Sequence, residues 1–393
     1  MKITDVTLSD PIYVKVRVGA DATVDNPAVR AMTILRVCTD EGITGIAMAS
    51  DPQAGPNGVS LNRVLVEQVL KPYVVGEDPL NTERIWDKMY WGSVRYGRRG
   101  VALSVIGAID IAIWDLKGKV LGQPVHRLLG GHRDTVAAYG SSVNLNYTRQ
   151  ELVDTYSDFV ECGFKMVKMK VGKRDPNEDL ERVKLVRETI GPDVDLALDV
   201  NSGWSLGTAI RMAKKLEQYD IYWLEEPLPP DEIDNHAKLA SETSIPIAVG
   251  ETHSTKWEFK ELMERGAVEV VQADIVRCGG VTEWVKIAAM AAAYGLPMCP
   301  HGTSDIAPSL VAAVPNGLFV ECFRTSSTPA GERESIVVDP IGPLNGEISP
   351  SSKPGFGIEI NEAAVKRLQA RPRPGAEKLR FSTKRGWQWP PYL

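Results

Sequence analysis

In the second half of the chain, short apolar runs alternate with amphipathic stretches. The runs fall at 136–139, 166–171, 194–198, 221–224, 245–249, 268–271, 296–299 and 318–320. The stretches between them, such as 180–190, 209–216 and 281–294, carry apolar residues at helical spacing. Eight strands alternating with helices predict a parallel barrel of β/α units, the TIM-barrel class. The repeat lies in the architecture, since no segment of sequence is copied.

The first half has a different rhythm. Residues 1–50 read as strands, with a hairpin at 32–38 and 43–49 joined by Thr39-Asp40-Glu41-Gly42. From about residue 61 the pattern turns helical. The clearest helix spans 101–119, where Val105, Ala108, Ile109, Ala112, Ile113 and Leu116 recur at three- and four-residue steps. Gly122 and Pro124 then supply its stop. Strands followed by helices predict an α+β domain ending near Gly130-Gly131. Beyond about residue 325 the alternation ends. Residues 340–357 read as a Pro- and Gly-rich surface loop, 358–360 as a short strand and 362–368 as a short helix. The irregular tail carries Trp387 and Trp389, which are expected to pack on the body of the protein. The loops at 19–27 and 51–58 suit either plain surface connections or lids over a site built elsewhere. The expected division is 1–132, 133–325 and 326–393.

Composition narrows the field. With 393 residues, 43% apolar and 24% charged, the chain is ordinary for a globular protein with a large core. A net charge of −6 argues against nucleic acid or an acidic membrane as the main partner. The five cysteines lack paired spacing and read as free thiols in a reducing compartment. The first residues lack the apolar core of a signal peptide, and no run approaches the roughly 18 apolar residues of a membrane span. A cytoplasmic protein is the expectation.

The candidate chemistry sits at the ends of the predicted strands. Asp199, Glu225 and Glu251 each close an apolar run, and their positions differ by 26 residues. That interval is close to one β/α unit, so all three reach the C-terminal face of the barrel, where active sites are built. Three acids brought together repel, and a hard cation such as Mg²⁺ offsets the repulsion. Lys168 and Lys170 are two residues apart on one strand and share a face. Each should lower the other's pKa, leaving Lys170 able to take a proton. His301 follows the seventh strand and Asp274 the sixth, close enough for the carboxylate to orient the imidazole. Glu321 has acidic neighbours and no evident basic partner, so its pKa is expected to rise and make it a neutral hydrogen-bond donor. This set suits removal of a proton next to a carboxylate, with cation and hydrogen bonds stabilising the enediolate. Arg277, just past the sixth strand, is left out of the expected site.

Together these motifs resemble the enolase superfamily, in its mandelate racemase subgroup. The resemblance runs through the 108–116 stretch AIDIAIWDL, Lys168-Met169-Lys170, Asp199-Val200-Asn201, Glu225-Glu226-Pro227, Gly250-Glu251, Asp274 with Cys278-Gly279-Gly280, His301, Glu321 and the 354–360 stretch PGFGIEI. It implies a modified (β/α)7β barrel under an α+β cap built from both termini, with 326–393 returning to the cap. It implies Mg²⁺ on Asp199, Glu225 and Glu251, and Lys170 and the His301–Asp274 pair as opposed acid/base groups. Lys168 and Asn201 would touch a hydroxy-carboxylate substrate, with Glu321 as electrophilic donor, in a homo-oligomer. The first expectation is an acid-sugar dehydratase giving a 2-keto-3-deoxy acid. The polar segment Arg95-Tyr96-Gly97-Arg98-Arg99 suits either a polyhydroxylated ligand or plain solvent. The alternatives are a racemase or epimerase of a 2-hydroxy acid, and a catalytically silent binding protein. Cycloisomerases and dipeptide epimerases of the related subgroup carry a lysine on the sixth strand; this chain has Asp274 there, which argues against them.

Overall fold

The computed structural model describes residues 1–16, 19–25, 29–50, 60–302, 305–323, 331–371 and 382–383. The 51–58 loop, part of the 19–27 loop, the boundary near 325 and both tail tryptophans lie outside these residues.

The N-terminal sheet is antiparallel and centred on one long strand. Strands β1 (Ile3–Leu8) and β2 (Ile12–Lys15) follow each other along one edge of β4 (Val29–Thr39), and β5 (Thr44–Ser50) pairs with its other edge. The short β3 (Val24–Asp25) lies apart from this sheet. The hairpin turn falls where expected, with Cys38 opposite Thr44. Helix Val101–Leu121 packs on β5 and stops at Gly122, whose left-handed backbone caps Gly118 and Lys119. The expected apolar stripe is buried, and so are Leu103, Ile106 and Ile111. A one-sided stripe therefore understates this helix, which has the cap sheet on one side and the barrel on the other. The approach is close: a Cβ on Gly107 would lie 2.2 Å from the carbonyl oxygen of Val276.

Two acids inside this helix join three parts of the chain. Asp110 accepts hydrogen bonds from the Thr282 amide at 2.8 Å and hydroxyl at 2.6 Å, and Trp114 Nε1 donates to that hydroxyl. Asp115 accepts from the amides of Ile46 and Phe356, each at 2.9 Å. The first acid fixes cap to barrel, and the second fixes cap sheet to C-terminal segment. The described part of that segment reaches the cap sheet. Helix Glu362–Gln369 buries Val365 and Leu368 against Ile12, Val14, Met32 and Ile34. The expected strand at 358–360 is reduced to a single bridge between Val337 and Ile360.

The second sheet is the barrel. Strands β6 (Val136–Ser141), β7 (Met166–Lys170), β8 (Asp195–Asp199), β9 (Ile221–Glu225), β10 (Ile247–Val249) and β11 (Val270–Val271) are parallel neighbours, and β12 (Phe319–Cys322) pairs with β6. Strand β13 (Glu347–Ile348) adds an antiparallel edge at the start of β6, and β14 (Ser382–Thr383) pairs with β3. The expected seventh strand at 296–299 shrinks to Met298, which bridges Val271 on one side and Gly317 on the other. Pro297 and Pro300 flank it and lack amide donors, so the ladder cannot extend. The ring still closes there, through Cys299 N–H to Val271 O at 2.9 Å and Leu318 N–H to Met298 O at 2.8 Å.

Inside the barrel, Tyr139, Met166, Ala197, Trp223, Ala248, Val270 and Cys299 form a separate apolar layer. Phe319 joins it, with the Tyr139 and Trp223 rings meeting edge to face at 5.5 Å. This layer is the floor beneath the polar residues considered next.

Burial pushes the Asp110 carboxyl up to about 7, against the hydrogen bonds from Thr282. The unfolded chain ionises near 3.9. Both states hold the proton at low pH, and the unfolded state loses it first as pH rises. Asp110 therefore costs the fold stability progressively between about pH 4 and 7, on the order of a few kcal/mol in total. Urea unfolding of wild type and Asp110→Asn should show this component in wild type alone; parallel curves from pH 4 to 7 would refute it.

Candidate active site

A barrel strand repeats its facing every second residue, so the positions two beyond the floor point the same way. From Met166 that rule leads to Lys168 and Lys170, from Ala197 to Asp199, from Trp223 to Glu225, from Val270 to Gln272, from Cys299 to His301, and from Phe319 to Glu321. All but His301 are buried, and His301 is partly so. Glu251 breaks the pattern, because the position two beyond Ala248 is Gly250. Gly250 has φ +147°, and a Cβ there would lie 2.7 Å from the Gln272 backbone. This position needs glycine both for its dihedral and for space. It turns the chain so that the next residue, Glu251, faces the other two acids.

One ligand atom from each of Asp199, Glu225 and Glu251 lies within 4.8 Å of the others. Their environments differ. Burial raises the Asp199 carboxyl, but the Lys170 and Lys168 ammonium groups outweigh it and hold Asp199 well below the carboxylate range. Burial and the Asp199 charge push Glu225 up to about 8, although Lys168 Nζ is 2.6 Å from its Oε1. Trp223 Nε1 and Gln272 Nε2 donate to Glu225 Oε2 at 3.1 and 2.7 Å. Glu251 Oε2 is buried and accepts no hydrogen bond. Three buried carboxylates, one with an oxygen that accepts no hydrogen bond, fit a hard divalent cation, and the all-oxygen donor set fits Mg²⁺.

The lysines differ from expectation. Burial lowers Lys170, and Lys168 lowers it further as anticipated, but the contact with Asp199 is stronger and leaves it above its ordinary value. Lys168 is also raised, because Glu225 and Glu321 outweigh its burial. Three carboxylates, Asp199, Glu225 and Glu321, reach the lysine pair, and the spacing of the lysines alone does not reveal that. Glu321 is a second correction. Its Oε1 lies 3.0 Å from Lys168 Nζ, and its Oε2 accepts the Gly302 amide at 2.9 Å. Burial raises it, but Lys168 and His301 prevail and hold it at about 2, so it is an ionised acceptor here. The partner is easily missed: β12 and β7 flank β6, whose small Ser141 stands between them.

His301 and Asp274 pair as expected, with Nδ1 2.8 Å from Asp274 Oδ2. Asp274 Oδ1 accepts the amides of Val276 and Arg277 at 2.9 and 2.8 Å, which fixes the carboxylate. His301 Nε2 then faces Glu251 Oε2 at 3.5 Å. Burial lowers the imidazole, but Glu251 and Asp274 raise it to about 9. Lys170 thus meets the acid cluster at Asp199 and His301 meets it at Glu251, on opposite flanks. Asn201 donates its amide to Asp199 Oδ1 at 2.9 Å, and its own Oδ1 is buried without a partner.

Sequence reasoning missed Trp223 and Arg277. Trp223 is two residues before Glu225, so the two-residue repeat pointed to it. Arg277 Nη1 lies 3.2 Å from Glu251 Oε1, a contact that arises from a turn and leaves no periodic trace. Arg99, in the polar cap segment, pairs instead with Asp231, in the segment after β9, and Glu258, in the first turn of the helix after β10. Among the described residues, no helix is long and apolar enough to cross a membrane.

Comparison with known proteins agrees with this geometry. Residues 12–130 match the mandelate racemase / muconate lactonizing enzyme N-terminal domain, and residues 151–364 match the enolase C-terminal domain-like family. An arabinonate dehydratase from Saccharolobus solfataricus is 37% identical over 317 residues, 79% of this chain and 84% of that protein. A D-galactarolactone cycloisomerase from Agrobacterium fabrum is 33% identical over 353 residues, 86% of this chain and 90% of that protein. The structure of an L-talarate dehydratase from Polaromonas sp. JS666, complexed with Mg and L-glucarate, superposes with a TM-score of 0.82 at 30% identity, covering 94% of this chain and 97% of the other. With both domains matched in order, and a buried three-carboxylate cluster at the mouth of the barrel, this chain belongs to the mandelate racemase subgroup of the enolase superfamily.

Proposed function

We propose that the protein is a Mg²⁺-dependent dehydratase of acid sugars, taking an aldonate or aldarate to its 2-keto-3-deoxy acid. The reading rests above all on two proton-transfer groups that face each other across the carboxylates: Lys170 on the Asp199 flank and His301, oriented by Asp274, on the Glu251 flank. The arabinonate and talarate dehydratases among the relatives support it.

Dehydration needs a base for the α-proton and an acid for the departing β-hydroxyl. Asp199, Glu225 and Glu251 would hold Mg²⁺, which when bound would supply positive charge for the substrate carboxylate and for the dianion left by deprotonation. Lys170 Nζ or His301 Nε2 takes the α-proton, according to substrate stereochemistry. Protonated His301 then gives its Nε2 proton to the β-hydroxyl as the C–O bond breaks, and water leaves. The enol so formed tautomerises to the keto acid. Lys170, whose proton is held by Asp199, is the group placed to exchange the α-proton on that flank. Lys168, between Glu225 and Glu321, presents its ammonium to the substrate carboxylate. Ionised Glu321 holds Lys168 in place and takes no donor role. The aromatic floor keeps water from below.

A second reading is proton transfer without loss of water, as in a racemase, epimerase or cycloisomerase. The two-sided site suits it equally, and the cycloisomerase relative favours it. A panel of aldonic and aldaric acids with Mg²⁺ separates the readings. The dehydratase should release 2-keto acid; inversion, or α-proton exchange in heavy water with no keto acid, would point to the second. Chelation should abolish turnover and Mg²⁺ should restore it. Lys170→Ala and His301→Asn should each lower kcat by roughly 10²–10⁴-fold while the circular dichroism spectrum is retained. Full turnover in both variants would remove the acid/base assignment.

A further inference from the structure

Glu251 is the least supported of the three carboxylates. Asp199 and Glu225 end regular strands and have several polar partners, whereas Glu251 lies beyond β10, past the turn at Gly250. Its two oxygens are treated differently. Oε1 lies 3.2 Å from Arg277 Nη1, which also donates to the Glu251 carbonyl at 3.0 Å. Oε2 is buried, accepts no hydrogen bond and faces His301 Nε2 at 3.5 Å. Arg277 is itself held, with its amide donating to Asp274 Oδ1 at 2.8 Å and its Nε 4.0 Å from Asp274 Oδ2. One guanidinium therefore touches both a carboxylate of the cluster and the residue that orients His301.

We infer that Arg277 is a positioning residue that clamps the Glu251 backbone and Oε1 so that Oε2 alone is presented to the cation. The inference rests on the reading of the three acids as a divalent-cation site. It carries a sign opposite to simple electrostatics. Removing a positive charge beside a cation site should tighten cation binding through Coulomb's law. Removing a clamp that orients a ligand should weaken binding, typically 10–100-fold.

The test is Mg²⁺ titration calorimetry on the full-length, metal-free protein without substrate, with Mn²⁺ electron paramagnetic resonance as a second readout. Arg277→Met should bind Mg²⁺ 10–100-fold more weakly than wild type. Arg277→Lys keeps the charge but loses the paired donors, and should fall between them. Arg333→Met, which breaks an ion pair with Asp305, serves as a charge-removal control and should bind like wild type. Equal or tighter binding by Arg277→Met overturns the inference. If that variant does not fold, Arg277→Lys decides: binding about tenfold weaker supports the clamp, and unchanged binding removes it. A wild-type protein that takes up no Mg²⁺ would instead refute the cation reading itself.

Discussion

The structure depends on charge balance in a space that tolerates little imbalance. Asp199, Glu225, Glu251 and Glu321 meet Lys168, Lys170 and His301 above an apolar floor, and nearly all are buried. Isolated buried charges are costly, so each must be paired or neutralised. The lysines serve Asp199, Glu225 and Glu321, and His301 with Arg277 serves Glu251 and Asp274. The cluster is left with Glu225 pushed toward protonation and one oxygen of Glu251 that accepts no hydrogen bond. A divalent cation meets both needs at once. The same balance sets the chemistry, because the charge that holds the proton on Lys170 is that of Asp199.

The scaffold serves this arrangement by separating tasks. The floor residues fill the barrel, and the positions two steps later carry charge. The cap is fixed through Asp110 and Asp115 on a helix buried on nearly all sides. These two acids resemble the site acids in burial but differ in partners: Asp110 is met by a backbone amide and a hydroxyl, and Asp115 by two backbone amides and the Lys119 ammonium. Buried acids held apart by such partners tie segments together. Buried acids that crowd one another make a site.

Much of this was legible in the sequence, for physical reasons. Strand ends could be located because apolar runs stop at charged residues, the 26-residue interval brought Asp199, Glu225 and Glu251 to one face, and the two-residue repeat put Lys168 and Lys170 on a shared side. The His301–Asp274 pair followed from adjacent strands. Three features were not legible. The equal spacing of the acids concealed that Glu251 comes off a glycine turn and not off a strand. The protonation of Lys170 and Glu321 depends on which carboxylates lie across the barrel, information that no local pattern holds. The seventh strand looked as apolar as the rest, yet two prolines reduce it to the Met298 bridge. Arg277 was missed because its role comes from a turn.

That bridge has a consequence for how such a barrel diversifies. Asp199 and Glu225 sit on strands laced to neighbours on both sides, so moving them would unzip several ladder bonds. His301 lies just beyond a shorter seam, four backbone hydrogen bonds carried by Pro297, Met298 and Cys299. A sequence change near it disturbs less of the sheet. The arrangement holds Asp199 and Glu225 firmly in the sheet and leaves the His301 imidazole, behind the shorter seam, the easier group to re-aim.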